Sequence, residues 1–450
     1  MEAMIGIILI GSLFFMAWYC IKGHNLMTGM GIMATLFVIL ALLGNSVIPN
    51  GAMEGQSVID VLTYVYQTGP ANWSASILVN IFFGAFFGRV LIETGIASSL
   101  IKKTVELGGD KPAVTMTLLC IVTAIIFTSM TGAGPVISIG IIVLPILLSL
   151  GVPTPIAVFA FMGSIMAGMH ANILLFKQFS AMFVSLKPEF ESYTFDQNFQ
   201  FGIICWGVAL FSVILVASIC LKKSRISRAW AVESKQDTKN APALSWIAVI
   251  MPVIGVLIFK IPIILGFLIA SIYALAVCGK FKGNFIKITG MLQKLFTDGA
   301  MDTAPLIGFL LILAMFNNAA VYVAPYFQSL IGRFIPTNPL VLCLVFGILS
   351  FLGYFRGPLS LVGCGAAILS IFLGSAANFP VAFLYPLFSC ITLTMQHLDI
   401  TQSWVAWGIG YSKVDIREFM KIALPTGYVV AIIQCLIVYV MFGSMVLSKI

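Results

Sequence analysis

Charge is what this sequence of 450 residues has least of: Asp, Glu, Lys and Arg together make up 9% of it. Soluble domains carry about 25%, so a water-facing globule is excluded. Hydrophobic residues make up 60% and the mean hydropathy is +1.08. The chain therefore reads as an integral membrane protein with room for about ten spans of ~20 residues, joined by short loops. Its net charge of +8 falls mostly in loops that the positive-inside rule places in the cytoplasm, so nucleic acid is not an expected partner. Nine cysteines lie in or at the ends of apolar segments without any CxxC pair, as small core hydrophobes do. The N-terminus, MEAMIGIILIGSLFF, has no basic region and no small-residue cleavage site, and reads as a first span. HExxH, P-loop, Asp-rich and Ser-His-Asp patterns are missing as well. Neither an enzyme nor a bound cofactor is expected.

What is present is a pattern that occurs twice. In Lys111 to Pro155, two apolar arms flank Thr131-Gly132-Ala133-Gly134-Pro135. In Asn338 to Pro380, two apolar arms flank Gly353-Tyr354-Phe355-Arg356-Gly357-Pro358. Gly134 precedes Gly151, and Gly357 precedes Gly374, by the same 17 residues. Gly-Pro within an apolar run frees backbone groups that lipid cannot satisfy, so such breaks survive only inside protein or beside a water-filled cavity. Two of them at matching places point to a transporter's binding site.

Charge sets the expected topology. Spans at about 4–21 and 26–43 turn at Lys22, inside, and Gly44 to Asn72, without Lys or Arg, lies outside. A span at 76–98 carries Arg89 and Glu93 on one helix face as a self-compensating pair. A re-entrant hairpin at about 112–151 opens to the cytoplasm, although charge alone does not distinguish a hairpin from two full spans. Spans at 156–176 and 200–221 lead to a cytoplasmic linker, 222–243, marked by Lys222-Lys-Ser-Arg-Ile-Ser-Arg228. The second half reverses every direction: spans at 244–259 and 262–278, an interfacial helix at 281–297, and a span at 303–330. A hairpin at about 338–375 opening outward follows, then spans at 380–396 and 422–445. The fold class is thus all-α and polytopic, with two inverted five-helix repeats, 1–221 and 244–450, each holding one hairpin. Both termini are expected outside, in a cell (inner) membrane.

Candidate site residues cluster at the breaks. Helices starting at Pro135 and Pro358 would aim free N–H groups at the midplane, an anion site. Thr128, Ser129, Thr131, Gly132, Gly134 and Ser138 line the first break, and Gly357 and Ser360 the second. The bland reading is tight-packing glycines and backbone-bonded hydroxyls. Arg356 is the sharpest residue, because a guanidinium near the bilayer centre costs at least ~2.5–3.5 kcal/mol and its planar fork suits a carboxylate. The alternative is neutralisation of a buried acid, Asp302 or Asp399. His170 and His397 lie 15 and 17 residues after the matched prolines Pro155 and Pro380, beside Asn172 and Asp399. They serve as ligand contacts or proton carriers, or else as packing residues. Ser129, Thr131, Thr394 and Asp399 are candidates for the coupling ion. Trp404 and Trp407 read equally well as site residues and as interface anchors.

The layout of FTSMTGAGPVISIGIIVLPILLSLGVP resembles the ion transporter superfamily, which includes gluconate, citrate and C4-dicarboxylate carriers. The resemblance implies a scaffold plus a mobile domain carrying two opposed hairpins, usually dimeric, moving substrate by an elevator displacement. The dicarboxylate branch has Ser-Asn-Thr at its hairpin tips, whereas neither tip here contains Asn. The expected function is symport of a small organic anion, a carboxylate, with H⁺ or Na⁺. The alternatives are a cation/proton antiporter of the same architecture and an intramembrane enzyme.

Overall fold

A computed structural model describes residues 2–49, 51–224, 241–373 and 379–447. Most of the 222–243 linker, and Gly374 at the end of the second hairpin, lie outside the described residues. Among the described residues there are helices and no strands. Six helices are long and apolar enough to cross a membrane, or eight spans if each of two bent pairs counts as one. The protein is an all-helical, multi-pass membrane protein.

The first half begins with α1 (Glu2–Ile21) and α2 (Leu26–Val47), joined by a turn in which Gly23 takes a left-handed φ of 79°. α3 (Val58–Thr63) then runs through a π turn into α4 (Gly69–Glu93). This moves the span start expected near residue 76 back to Gly69, with helix already forming from Val58. The cause is a capping box, Ser57 with Asp60, which starts a helix within a stretch free of Lys and Arg. α5 (Ile96–Gly108) is short and carries Lys102 and Lys103. The first hairpin is α6 (Pro112–Ile126) and α7 (Ala133–Ser149), each arm shorter than a ~20-residue span. α8 (Thr154–His170) and α9 (Ile173–Leu186) meet at a bend of 62°. The continuous span expected at 156–176 is therefore broken, because the Asn172 side chain caps α9. α10 (Phe195–Lys223) completes this half.

The order of elements then recurs: α11 (Met251–Leu257), α12 (Ile263–Val277) and α13 (Phe285–Ile331). α13 has 47 residues and so is about 70 Å long at ~1.5 Å per residue, twice the hydrocarbon thickness. The interfacial helix expected at 281–297 and the span expected at 303–330 are one helix. No glycine–proline break separates them, and Pro305 sits within the helix. The second hairpin comprises α14 (Pro339–Leu349), a tight turn to Arg356, a looped segment and α15 (Gly365–Leu373). α16 (Val381–Gln396) and α17 (Ser403–Tyr411) form a second broken helix, and α18 (Ile416–Leu447) is the last.

α13 packs along α2 and α4, and α12 along α4, while α10 packs on α8, α18 on α16, and α17 on α7. Arg89 on α4 directs Nε and Nη2 to the two Asp302 oxygens on α13, both at 2.5 Å. This corrects the expectation of a pair with Glu93 in its own helix. It also removes Asp302 as a partner for Arg356.

Candidate functional site

Each broken helix holds the tip of the hairpin that precedes it. In the first half Asn172 is 2% exposed and uses its whole amide. Its Oδ1 accepts from the N–H groups of Leu174 and Leu175, at 2.9 and 3.1 Å. Its Nδ2 donates to the carbonyls of Phe127 and Met130, at 2.8 and 2.9 Å. One side chain thus closes the start of α9 and the frayed end of α6. In the second half Asp399 takes the corresponding place. Its Oδ2 accepts from the Phe355 N–H at 2.6 Å and its Oδ1 from the Thr401 N–H at 2.8 Å. Both residues follow a histidine by two, which is why the sequence pairs His170 with Asn172 and His397 with Asp399. Alanine at 172 would orphan two buried N–H groups and two carbonyls, at about 1–3 kcal/mol each. Asn172→Ala is therefore expected to lose a monodisperse folded peak in detergent. Ser164→Ala, which removes a bond to the Ala160 carbonyl of its own helix and a weak contact with the Cys120 thiol, should keep it.

The two tips differ in shape. At the first, Gly132 has φ 100° and α7 starts at Ala133, so Pro135 falls in its opening turn. The Asp302 carboxylate packs so closely on Gly134 that a Cβ there would overlap it. The helix start expected to bind an external anion therefore already faces a protein carboxylate, itself neutralised by Arg89.

At the second tip no helix begins at Pro358, contrary to expectation; α15 begins at Gly365. The intervening N–H groups are held locally. Ser360 donates to the Gly357 carbonyl, Gly363 to that of Ser360, and Cys364 to that of Arg356. Leu361 donates to Thr392 Oγ1 at 2.9 Å. The loop wraps over the Arg356 backbone so tightly that Gly363 has no room for a Cβ. Phe355 and Arg356 both take left-handed backbone angles, φ 55° and 60°. For non-glycine residues this strain is characteristic of functional sites.

Between the tips lies a cavity of about 270 Å³. Thr131 and Ala133 reach it from the first tip, Arg356 and Val362 from the second, and Gln178 from α9. The stretch from Gln396 to Trp404 and the Asp302–Phe309 part of α13 close it. Arg356 is 6% exposed. Its Nη2 donates to Gln402 Oε1, its Nη1 lies 3.4 Å from the Val362 carbonyl, and the guanidinium stands 5.9 Å from the Phe309 ring centroid. Three nitrogens of cavity residues have no hydrogen-bond partner among the described residues: Arg356 Nε, His397 Nε2 and Trp404 Nε1. His397 Nδ1 lies 2.8 Å from the Leu393 carbonyl. A carbonyl only accepts, so Nδ1 carries the hydrogen and Nε2 is left as the free ring nitrogen.

Other candidates lie elsewhere. His170 Nε2 meets Thr394 Oγ1 at 3.2 Å and Gln434 Nε2 at 3.1 Å, and Thr394 donates to Gln434 Oε1 at 2.7 Å. Ser129 donates to the Val249 carbonyl at 2.5 Å. Thr128, in the turn after α6, donates to the Ile125 carbonyl at the end of that helix. Ser138 lies on α7, part-buried, and Gly357 and Ser360 shape the loop around Arg356. The four coupling-ion candidates are thus engaged with different partners: Ser129 bonded to Val249 on the α10–α11 connection, Thr131 in the cavity, Thr394 beside His170, Asp399 under the second tip. Trp404 is buried in the cavity wall, whereas Trp407 stacks on Tyr411, ring centroids 5.1 Å apart. Gln402, Phe309 and Gln434 were not singled out by sequence. Gln434, a lone amide in an apolar helix, was the most legible of them.

No protein-family model and no curated protein matches the sequence. Among solved structures, the YdaH transporter of Alcanivorax borkumensis, described as having an unusual topology, superposes with a TM-score of 0.65. The match covers 92% of this chain and 98% of that one at 14% identity. The two share a fold.

Proposed function

We propose that this protein is a secondary transporter of a small organic anion, a carboxylate, working by alternating access between two hairpins of opposite orientation. The observation that carries this reading is Arg356. It is a buried guanidinium on a strained hairpin tip, beside a cavity, with an unpartnered Nε and in no ion pair among the described residues. Asp399 stands near it without a direct ion pair; a cation at such depth is costly, and a bound carboxylate lowers the cost through charge-assisted hydrogen bonds. The fold shared with a transporter and the recurring order of elements support the same reading. The basic residues Lys22, Lys413 and Arg417 favour a cytoplasmic side for the α1–α2 and α17–α18 turns, with both termini outside a cell membrane. A cation/proton antiporter is disfavoured because both candidate acids are held, Asp302 by Arg89 and Asp399 by two N–H groups. Since the oxygens expected to hold Na⁺ are engaged with different partners, H⁺ is the coupling ion we favour, with His397 and His170 as its carriers.

The test is thermal unfolding of the purified protein against a panel of small mono- and dicarboxylates, with and without Na⁺. A ligand at a hundred times its dissociation constant stabilises by about 2.7 kcal/mol. At least one carboxylate is therefore expected to raise the melting temperature by several degrees, equally in Na⁺ and in K⁺. No rise with any carboxylate removes the proposed cargo, and a rise only in Na⁺ removes the proton.

A further inference from the structure

A second cavity, of about 450 Å³, adjoins the first. Arg356 and Thr401 belong to the walls of both. Its rim is exposed: Gly23 and His24 in the α1–α2 turn, Gly410 at the end of α17, and Ile416 opening α18. Its floor is buried, with Cys20 at 6% exposure and Arg356. Among the described residues lining it, Arg356 and His24 are the two able to carry positive charge, and no carboxylate lines it. Asp399 stands behind the floor with its oxygens engaged by Phe355 and Thr401 N–H groups. A surface opening therefore leads to one face of a guanidinium whose other face borders the central cavity.

We propose that this second cavity is the vestibule through which an anion reaches Arg356, and that the guanidinium is the shared wall that draws it in and passes it to the central cavity. The proposal rests on the transport reading but is tested without knowing the cargo. Cys20, on the floor, serves as a built-in reporter.

Two methanethiosulfonates of similar size, one bearing a 2-sulfonatoethyl and one a 2-(trimethylammonium)ethyl group, are applied to the detergent-purified protein. In both, the Cys20 thiolate attacks the sulfenyl sulfur, forms a mixed disulfide and releases methanesulfinate. The thiol's own reactivity therefore cancels in the ratio of rates, read by peptide mass spectrometry at Cys20. Dividing by the same ratio for a free small thiol such as 2-mercaptoethanol removes the difference between the reagents, and every ratio is normalised in this way. The anionic reagent is expected to react at least about tenfold faster, a modest instance of focusing by a charged cleft, with the ratio falling as salt is raised. Arg356→Gln should bring the ratio near one, and Arg356→Lys should preserve most of it. If Arg356→Gln does not fold, the salt dependence in the native chain and the lysine variant still decide. No modification of Cys20 by either reagent, or a ratio of one or below in the native chain, overturns the vestibule. Carboxylate stabilisation without Cys20 modification discards the vestibule and leaves the transport reading intact. Preference for the anionic reagent without carboxylate stabilisation keeps the vestibule and removes the carboxylate as cargo.

Discussion

Arg356→Ala is expected to abolish stabilisation by any carboxylate that stabilises the native protein, while the protein still reaches the membrane. Charge-assisted hydrogen bonds contribute about 1.5–3 kcal/mol each, so losing the fork weakens binding by at least about tenfold. Lysine keeps the charge without the planar fork and should fall between the two. The backbone offers a sharper control. Arg356 sits at φ 60°, where a non-glycine residue costs about 1–2 kcal/mol. Arg356→Gly relieves that strain while removing the guanidinium, so it should fold and fail to bind. This separates binding from folding, which alanine alone does not. A rescue of Arg356→Ala by a second change at Asp302 is not expected, because Arg89 already neutralises that acid. Rescue by a change at Asp399, the acid near Arg356, with normal carboxylate affinity would assign Arg356 to neutralising it. Unchanged carboxylate affinity in Arg356→Gly, measured by thermal shift or calorimetry, would sink the binding role.

The second large effect concerns Asp302. Its carboxylate takes both donors of the Arg89 fork and lies against Gly134 at the first turn of α7. The two side chains are 15% and 28% exposed. Breaking a buried pair on one side costs about 3–5 kcal/mol, and this partial exposure places the effect toward the lower end. Asp302→Ala should therefore unfold at a markedly lower temperature, because Arg89 is left uncompensated and α7 loses the charge at its N-terminus. Removing both partners should be less damaging than removing Asp302 alone. A double-mutant cycle in thermal unfolding reads this directly, and additive losses would show that the pair does not act as a unit.

How legible the site was depended on whether a signal was local. The Gly-Pro breaks were visible because glycine and proline disrupt an apolar run wherever it folds. His170 with Asn172 and His397 with Asp399 were visible because polar residues in such a run are rare. Yet their roles were not. Asn172 reads as a ligand contact, whereas its four bonding positions are filled by Phe127, Met130, Leu174 and Leu175. Ser129 reads as an ion ligand, whereas its hydroxyl goes to Val249, 120 positions away. The polar breaks at His170 and His397 were legible, but the 62° bend at the first was not, because an Asn cap carries no glycine or proline. The length of α13 was missed for the opposite reason: its lysines and Pro305 resemble a boundary that the helix runs through.

The sequence by itself determined the solvent, the all-helical class and the two broken apolar segments. Nine per cent charge and long apolar runs favour helices in lipid, and matched breaks with 17-residue spacing mark the two places where an apolar run is interrupted. Tertiary structure decided which polar groups are free. Arg89, Arg356, Asp302 and Asp399 are equally buried in apolar surroundings as letters, and any pairing among them satisfies the same charge count. Only the packing of α4 on α13 commits Arg89 to Asp302, and only the fold of the second tip over Asp399 leaves the Arg356 fork beside an open cavity. Ion pairing depends on a few ångströms of placement between segments hundreds of residues apart, and no local pattern encodes that distance.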